Sequence, residues 1–161
     1  MRSIILILLV LGMFSCQKEN KIEPQVDTTF SVKMNGTNKT GVTGAYLDED
    51  TDTLSIFGSV NPPQEEFIAI RIKFQGPGQY SLTKNQGRYY TTLGYDVQTS
   101  EYKFAPNSMG KLVITKYDPI EKVIEGNFEM ALKKYYSYLT NDTDTLHLVD
   151  GSFKGKISNE R

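Results

Sequence analysis

Ile68-Ala69-Ile70-Arg71-Ile72-Lys73-Phe74 is the stretch that decides the fold. Ile68, Ile70, Ile72 and Phe74 alternate with Ala69, Arg71 and Lys73. A period of two puts successive side chains on opposite faces, so this segment predicts a half-buried strand. The same period recurs on both sides of it. Upstream, Leu54, Ile56, Gly58 and Val60 form one inward set, stopped by Asn61-Pro62-Pro63, since proline cannot donate to a ladder. Before that, Phe30, Val32 and Met34 alternate with Ser31 and Lys33, then Asn35-Gly36 supplies a tight-turn signal and a weaker strand covers Thr40 to Leu47.

Downstream, Gln75-Gly76-Pro77-Gly78 predicts a turn, with a short strand around Tyr80 and Leu82. Arg88 to Asp96 places Tyr89, Thr91, Leu93 and Tyr95 on one face and Tyr90 and Thr92 on the other. Further strands are expected over Glu101 to Ala105, Leu112 to Tyr117 and Ile124 to Lys133, with Lys134 to Leu139 either extending the last or forming an aromatic loop. Gly126 falls in an inward set, where it marks a bulge or close packing. Leu146 and Leu148 flank an outward His147, Asp150-Gly151 reads as a turn, and Phe153, Gly155 and Ile157 end the pattern. Nothing after residue 16 carries a 3.6 period. About ten short strands with turns every eight to twelve residues predict an all-β, antiparallel β-sandwich, with a β-barrel as the alternative.

The N-terminus is of a different kind. Met1-Arg2-Ser3 precedes the apolar run Ile4 to Leu11, and Gly12-Met13-Phe14-Ser15 leads to Cys16, the only cysteine. A basic start, a short apolar segment and a small residue before the cut describe a secretory signal peptide. The run is too short to span a membrane, which takes roughly 20 apolar residues. Met13-Phe14-Ser15-Cys16 resembles a bacterial lipobox, which implies cleavage before Cys16 and acylation of its thiol. A lone exported thiol without a disulfide partner fits that reading. Gln17-Lys18-Glu19 resembles the charged tag that follows the acylated cysteine in surface-exported lipoproteins of Bacteroidetes. It implies outer-membrane sorting and fits the cell surface. The expected organisation is a signal peptide over 1–15, a lipidated Cys16 with a tether over 16–29, and one β-sandwich domain over 30–158.

Of the 161 residues, 18 are Lys or Arg and 19 are Asp or Glu. Loss of Arg2 with the leader leaves 17 cations against 19 carboxylates. That balance carries no basic footprint for nucleic acid. The single histidine, His147, sits outward on a strand, and no Cys/His set of zinc-site size exists, so neither a triad nor a structural zinc site is indicated. Asp50-Thr51-Asp52-Thr53-Leu54 and Asp142-Thr143-Asp144-Thr145-Leu146 are near copies. Asp50, Asp52, Asp142 and Asp144 offer oxygen ligands of the kind calcium takes, but neither copy has a full EF-hand series, and solvated turns account for both. No cofactor is implied.

There are ten tyrosines and no tryptophan. Lys133-Lys134-Tyr135-Tyr136-Ser137-Tyr138 is the exposed binding segment the sequence singles out, with Lys133, Lys134, Tyr135, Tyr136 and Tyr138 as its contact residues. Tyrosine offers a flat apolar face with a polar tip, suited to sugars or proteins. Two lysines beside three tyrosines also suit a carboxylate-bearing glycan.

Gly76-Pro77-Gly78-Gln79-Tyr80-Ser81-Leu82, Gly110-Lys111-Leu112-Val113-Ile114-Thr115, Ile124-Glu125-Gly126-Asn127-Phe128 and Gly151-Ser152-Phe153 follow one another in the chain. Together they resemble a family of small Bacteroidetes outer-membrane and surface lipoproteins of unknown function. The resemblance spans roughly residues 30 to 157. It implies a β-rich fold and an envelope location, and it supplies no catalytic residue. The expectation is a non-catalytic, lipid-anchored envelope protein that binds a glycan or protein partner. The alternatives are an accessory envelope protein without a ligand and, third, a polysaccharide hydrolase.

Overall fold

The Ile68–Lys73 alternation holds except at Ala69, which is small enough to be buried on its outward side. Ile68, Ile70 and Ile72 are buried while Arg71 and Lys73 are exposed. The computed structural model describes residues 27–60, 65–138 and 142–159; the anchor Cys16 with Gln17, Lys18 and Glu19, and Asn61-Pro62-Pro63, lie outside the described residues. Ten strands run in order: β1 (Thr29–Met34), β2 (Thr37–Asp48), β3 (Thr53–Val60), β4 (Glu66–Lys73), β5 (Gly78–Thr83), β6 (Gly87–Leu93), β7 (Val97–Lys103), β8 (Met109–Asp118), β9 (Val123–Ser137) and β10 (Thr145–Asn159). A 3₁₀ turn, Lys84–Gln86, joins β5 to β6.

The fold is all-β. The strands hydrogen-bond in one sheet, ordered β1-β10-β2-β3-β4-β6-β7-β9-β8-β5, with β1 also pairing β2 and β10 also pairing β9. The extra pairings make the bonding ring-like: from β2 one passes through β3, β4, β6, β7, β9 and β10 and returns to β2. Pairing is antiparallel except where Ile157–Asn159 runs parallel to Ala45–Leu47. The sheet branches at β9. Its first half pairs with β8 and its second half with β7, so β8–β5 and β7–β6–β4 leave the same edge.

One apolar core fills the inside, and its aromatic rings lie where glycines leave room. Phe30 and Phe128 pack at 5.5 Å between ring centres. Phe30 also covers Gly58, and a Cβ on Gly151 would stand 2.5 Å from the Phe128 ring. Gly126 is the close-packing site expected of it: a Cβ there would meet the Val113 carbonyl oxygen and sit 2.6 Å from Phe153 Cζ. Asn35-Gly36 makes the predicted hairpin turn, with φ of 45° and 87°, the paired positive values of a tight β1–β2 connection.

Three expectations need correction. Asp150-Gly151 is no turn between strands. Asp150 has φ 52°, the ladder to β9 shifts between Leu148 and Gly151, and β10 continues through as one 15-residue strand with a bulge. β7 starts at Val97 rather than Glu101 and ends at Lys103. Leu93 and Tyr95 do not share the buried face of Tyr89. The β6–β7 ladder shifts between Thr91 and Thr92, Tyr95 enters the turn with φ 62°, and both side chains are exposed.

Candidate functional site

Strand register gathers the sequence-predicted tyrosines with residues that are far from them in the chain. Across β4, β6, β7 and β9 the partners run Phe67↔Tyr90, Tyr90↔Glu101 and Glu101↔Tyr136. One pair further along, Ala69↔Arg88, Arg88↔Lys103 and Lys103↔Lys133 form a parallel row. Neighbouring strands lie about 4.8 Å apart, so side chains on one row touch. An aromatic row and a cationic row therefore lie side by side on the outer face. Tyr89 and Tyr102 point the other way, edge to face at 5.6 Å, and are buried beneath it. Burial raises both of their hydroxyl pKa values, so they stay protonated.

The outer rings hold the cations. Phe67 stacks on Tyr90 at 5.1 Å, and the Arg88 guanidinium lies 4.7 Å from the Tyr90 ring centre. Lys103 Nζ stands 4.2 Å over Tyr135. The ladder shift between Glu101 and Tyr102 leaves Tyr135 as the extra residue of β9, which turns it toward Lys103. Tyr135 and Tyr136 pack at 5.9 Å, and Tyr136 and Tyr138 at 5.7 Å. Between the two bracketed cations lies Glu101, only 7% exposed, with Lys103 Nζ at 2.8 Å and Arg88 at 3.8 Å from its carboxylate oxygens. A cleft of about 380 Å³ opens here, with Ser55, Arg71, Asn85, Arg88, Glu101 and Lys103 in its wall. A neighbouring depression of about 600 Å³ shares Ser55, Phe57 and Arg71 with it.

The expected segment is thus divided in its roles. Lys133 is exposed and joins the cationic row. Lys134 is engaged elsewhere: its Nζ pairs with Asp144 at 2.9 Å and donates to the Asp142 carbonyl at 3.0 Å. Its hydrogen bond holds the Asp144 carboxyl below the usual carboxylate range. Asp142 accepts from Ser137 Oγ. Asp50 donates its backbone N–H to Asp48 Oδ1, and Asp52 has φ 52° in the β2–β3 hairpin. Among the described residues no three His, Cys, Asp or Glu side chains converge as a metal site would require. His147 is exposed, and its backbone pairs with Asn35.

Phe67, Arg71, Arg88, Glu101 and Lys103 were not singled out by sequence, and Tyr90 only as one of several clustered tyrosines. Alternation identifies Arg71 and Tyr90 as outward, but which outward residues meet depends on an order that skips β5 and β8. Protein-family models, curated proteins and solved structures give no match to this chain. The lipoprotein resemblance rests on the quoted motifs alone.

At the rim, Glu65 ties the β6–β7 turn to the start of β4. It accepts from Thr92 Oγ1 at 2.8 Å and from the backbone N–H groups of Gly94 at 2.8 Å and Tyr95 at 3.0 Å. The Tyr95 N–H is the largest cause lowering its pKa, followed among the stabilising contacts by Thr92 and Gly94.

Proposed function

We propose that this protein is a lipid-anchored, non-catalytic envelope lipoprotein, held in the outer membrane through Cys16 and facing the cell exterior, that binds a glycan or protein partner. The binding surface is the outer face of β4, β6, β7 and β9. The observation that carries this reading is the bracketed arrangement Phe67–Tyr90–Arg88 and Lys103–Tyr135–Tyr136 around Glu101. Rings packed on one another and on cations lose little side-chain freedom when a partner arrives, which favours affinity. Tyr135 and Tyr138 remain 69% and 78% exposed, leaving ring surface for contact.

A glycan and protein array probed with the full chain in detergent tests the reading. Binding is expected, with loss in the Tyr135→Ala, Tyr136→Ala double variant. An accessory role without a ligand predicts no binding and no change of envelope phenotype in that variant. The internal satisfaction of Lys134 by Asp144 is the observation that favours this second reading. The anchor is tested apart from the face. Cys16→Ala is expected to abolish lipid attachment and release the protein from membranes, and continued acylation of that variant would refute it.

A further inference from the structure

The cationic row is out of balance. Arg88, Lys103 and Lys133 are successive cross-strand partners, and like charges placed opposite each other destabilise a sheet. Glu101 answers Arg88 and Lys103, but it is one carboxylate between two cations. Arg71 shares the same cleft and donates Nε to Ser55 Oγ at 3.4 Å. Among the described residues neither Arg71 nor Lys133 has a carboxylate at ion-pair distance. Asp144 is ion-paired with Lys134 and feels Lys133 only as a weaker, more distant charge. The cleft therefore carries a surplus of positive charge over a buried floor.

Resting on the binding-face reading above, we infer that this cleft takes a carboxylate group of an acidic saccharide, a uronate-type chain, with Arg71, Arg88 and Lys103 around the carboxylate and Lys133 at the next position. Guanidinium groups recognise carboxylates through paired donors in a fixed plane. The cleft wall is polar: exposed Asn85 is available to sugar hydroxyls, and buried Ser55 accepts from Arg71 Nε. The adjoining depression shares Arg71 but has Asp48 in its wall, so the recess is elongated and suits a chain whose carboxylate lies at the Arg71–Arg88–Lys103 end and whose hydroxyls face Asp48. Exposed Tyr135 and Tyr138 stand on the same side, where a sugar ring can lie against them.

The test uses the full chain in detergent with three probes: an oligouronate, the same oligosaccharide with its carboxyls reduced to alcohols, and a poly-glutamate peptide. The oligouronate is expected to bind about tenfold or more tightly than its reduced form, and to weaken as salt rises. Arg88 and Lys103 compensate buried Glu101, so their removal risks the fold. Arg71→Gln with Lys133→Gln spares both and is expected to weaken oligouronate binding about tenfold with unchanged melting temperature. Glu101→Gln removes the negative charge at the cleft floor and is expected to tighten oligouronate binding while leaving the reduced form unaffected. Equal binding of the two saccharides overturns the carboxylate assignment but leaves the binding face standing. Binding of poly-glutamate alone overturns the saccharide and makes the partner an acidic protein. Binding of none of the three overturns the inference, and the array above then decides the face independently.

Discussion

Aromatic rings are used in two ways on the two faces of one sheet. Inside, Phe30, Phe128 and Phe153 lie over Gly58, Gly151 and Gly126, where a missing Cβ makes room. Outside, Tyr90 and Tyr135 lie under Arg88 and Lys103. The inner rings are locked by shape and exclude water, so their value is in stability. The outer rings are locked by charge and remain partly wet, so each contact contributes little to folding. The contrast assigns stability to the inner set and leaves the outer set for the recognition proposed above.

The sharpest way to break the contrast is on the inner side. Phe128→Ala is expected to cost about 3–5 kcal/mol, read by chemical denaturation, because it leaves a cavity in a packed core. Gly151→Val forces its side chain into the Phe128 ring and is expected to cost about 1–3 kcal/mol or more. Next comes the charged floor. Removing Arg88 and Lys103 together, as the Ala variants, leaves Glu101 buried without a counter-ion and is expected to cost about 1–3 kcal/mol, moderated because both cations are part exposed. Tyr135→Ala is expected to change stability by less than about 0.5 kcal/mol while reducing partner binding. A loss of stability matching that of Phe128→Ala would erase the distinction between the faces.

The smallest expected effect is a pH dependence at the rim. The folded-state pKa of Glu65 is depressed, so the carboxylate favours the native turn above its unfolded pKa of about 4.3, and that contribution fades as pH falls through the lower folded value. Melting temperature followed from pH 6 to pH 3 should fall less steeply in Glu65→Gln than in the wild type. Equal slopes would show that the Tyr95, Gly94 and Thr92 contacts do not hold the turn.

Much of the inner side is legible in the sequence because alternation alone decides it. Leu54, Ile56 and Val60, then Ile68, Ile70 and Ile72, are buried as their period requires. Bulges are less legible, because they use the chemistry of turns. Asn35-Gly36 and Asp150-Gly151 read alike, and both first residues have positive φ. Only the first reverses the chain, since β10 at Asp150 is held by β9 on one side and β1 on the other. The near-copied acidic segments teach the same lesson. Around Asp50, side chains close on their own hairpin: Asp50 and Thr51 donate to Asp48, and Thr51 bonds Thr53. Around Asp142 local bonds are joined by partners remote in sequence: Tyr102 donates to the Thr143 carbonyl at 2.9 Å, and Asn35 Nδ2 donates to Thr143 Oγ1 at 3.3 Å. The tyrosine segment of the candidate site, with Lys133, was legible from the sequence, but Arg88, Lys103 and Glu101 were not. Arg88, Lys103 and Glu101 meet Tyr135 only through the order β6–β7–β9.

The place of β1 has a kinetic consequence. It lies between β2 and β10, hydrogen-bonded to the strand that follows it and to the last strand of the fold. Phe30 faces Phe153 across the ladder although nearly the whole described chain lies between them in sequence. Pairings so distant in sequence are slow to form, because the loop must close before the contacts compensate it. Until then the outer edges of β1 and β9 stay open to pairing with other chains. A chain truncated before β10 should therefore aggregate rather than rest as a smaller folded unit.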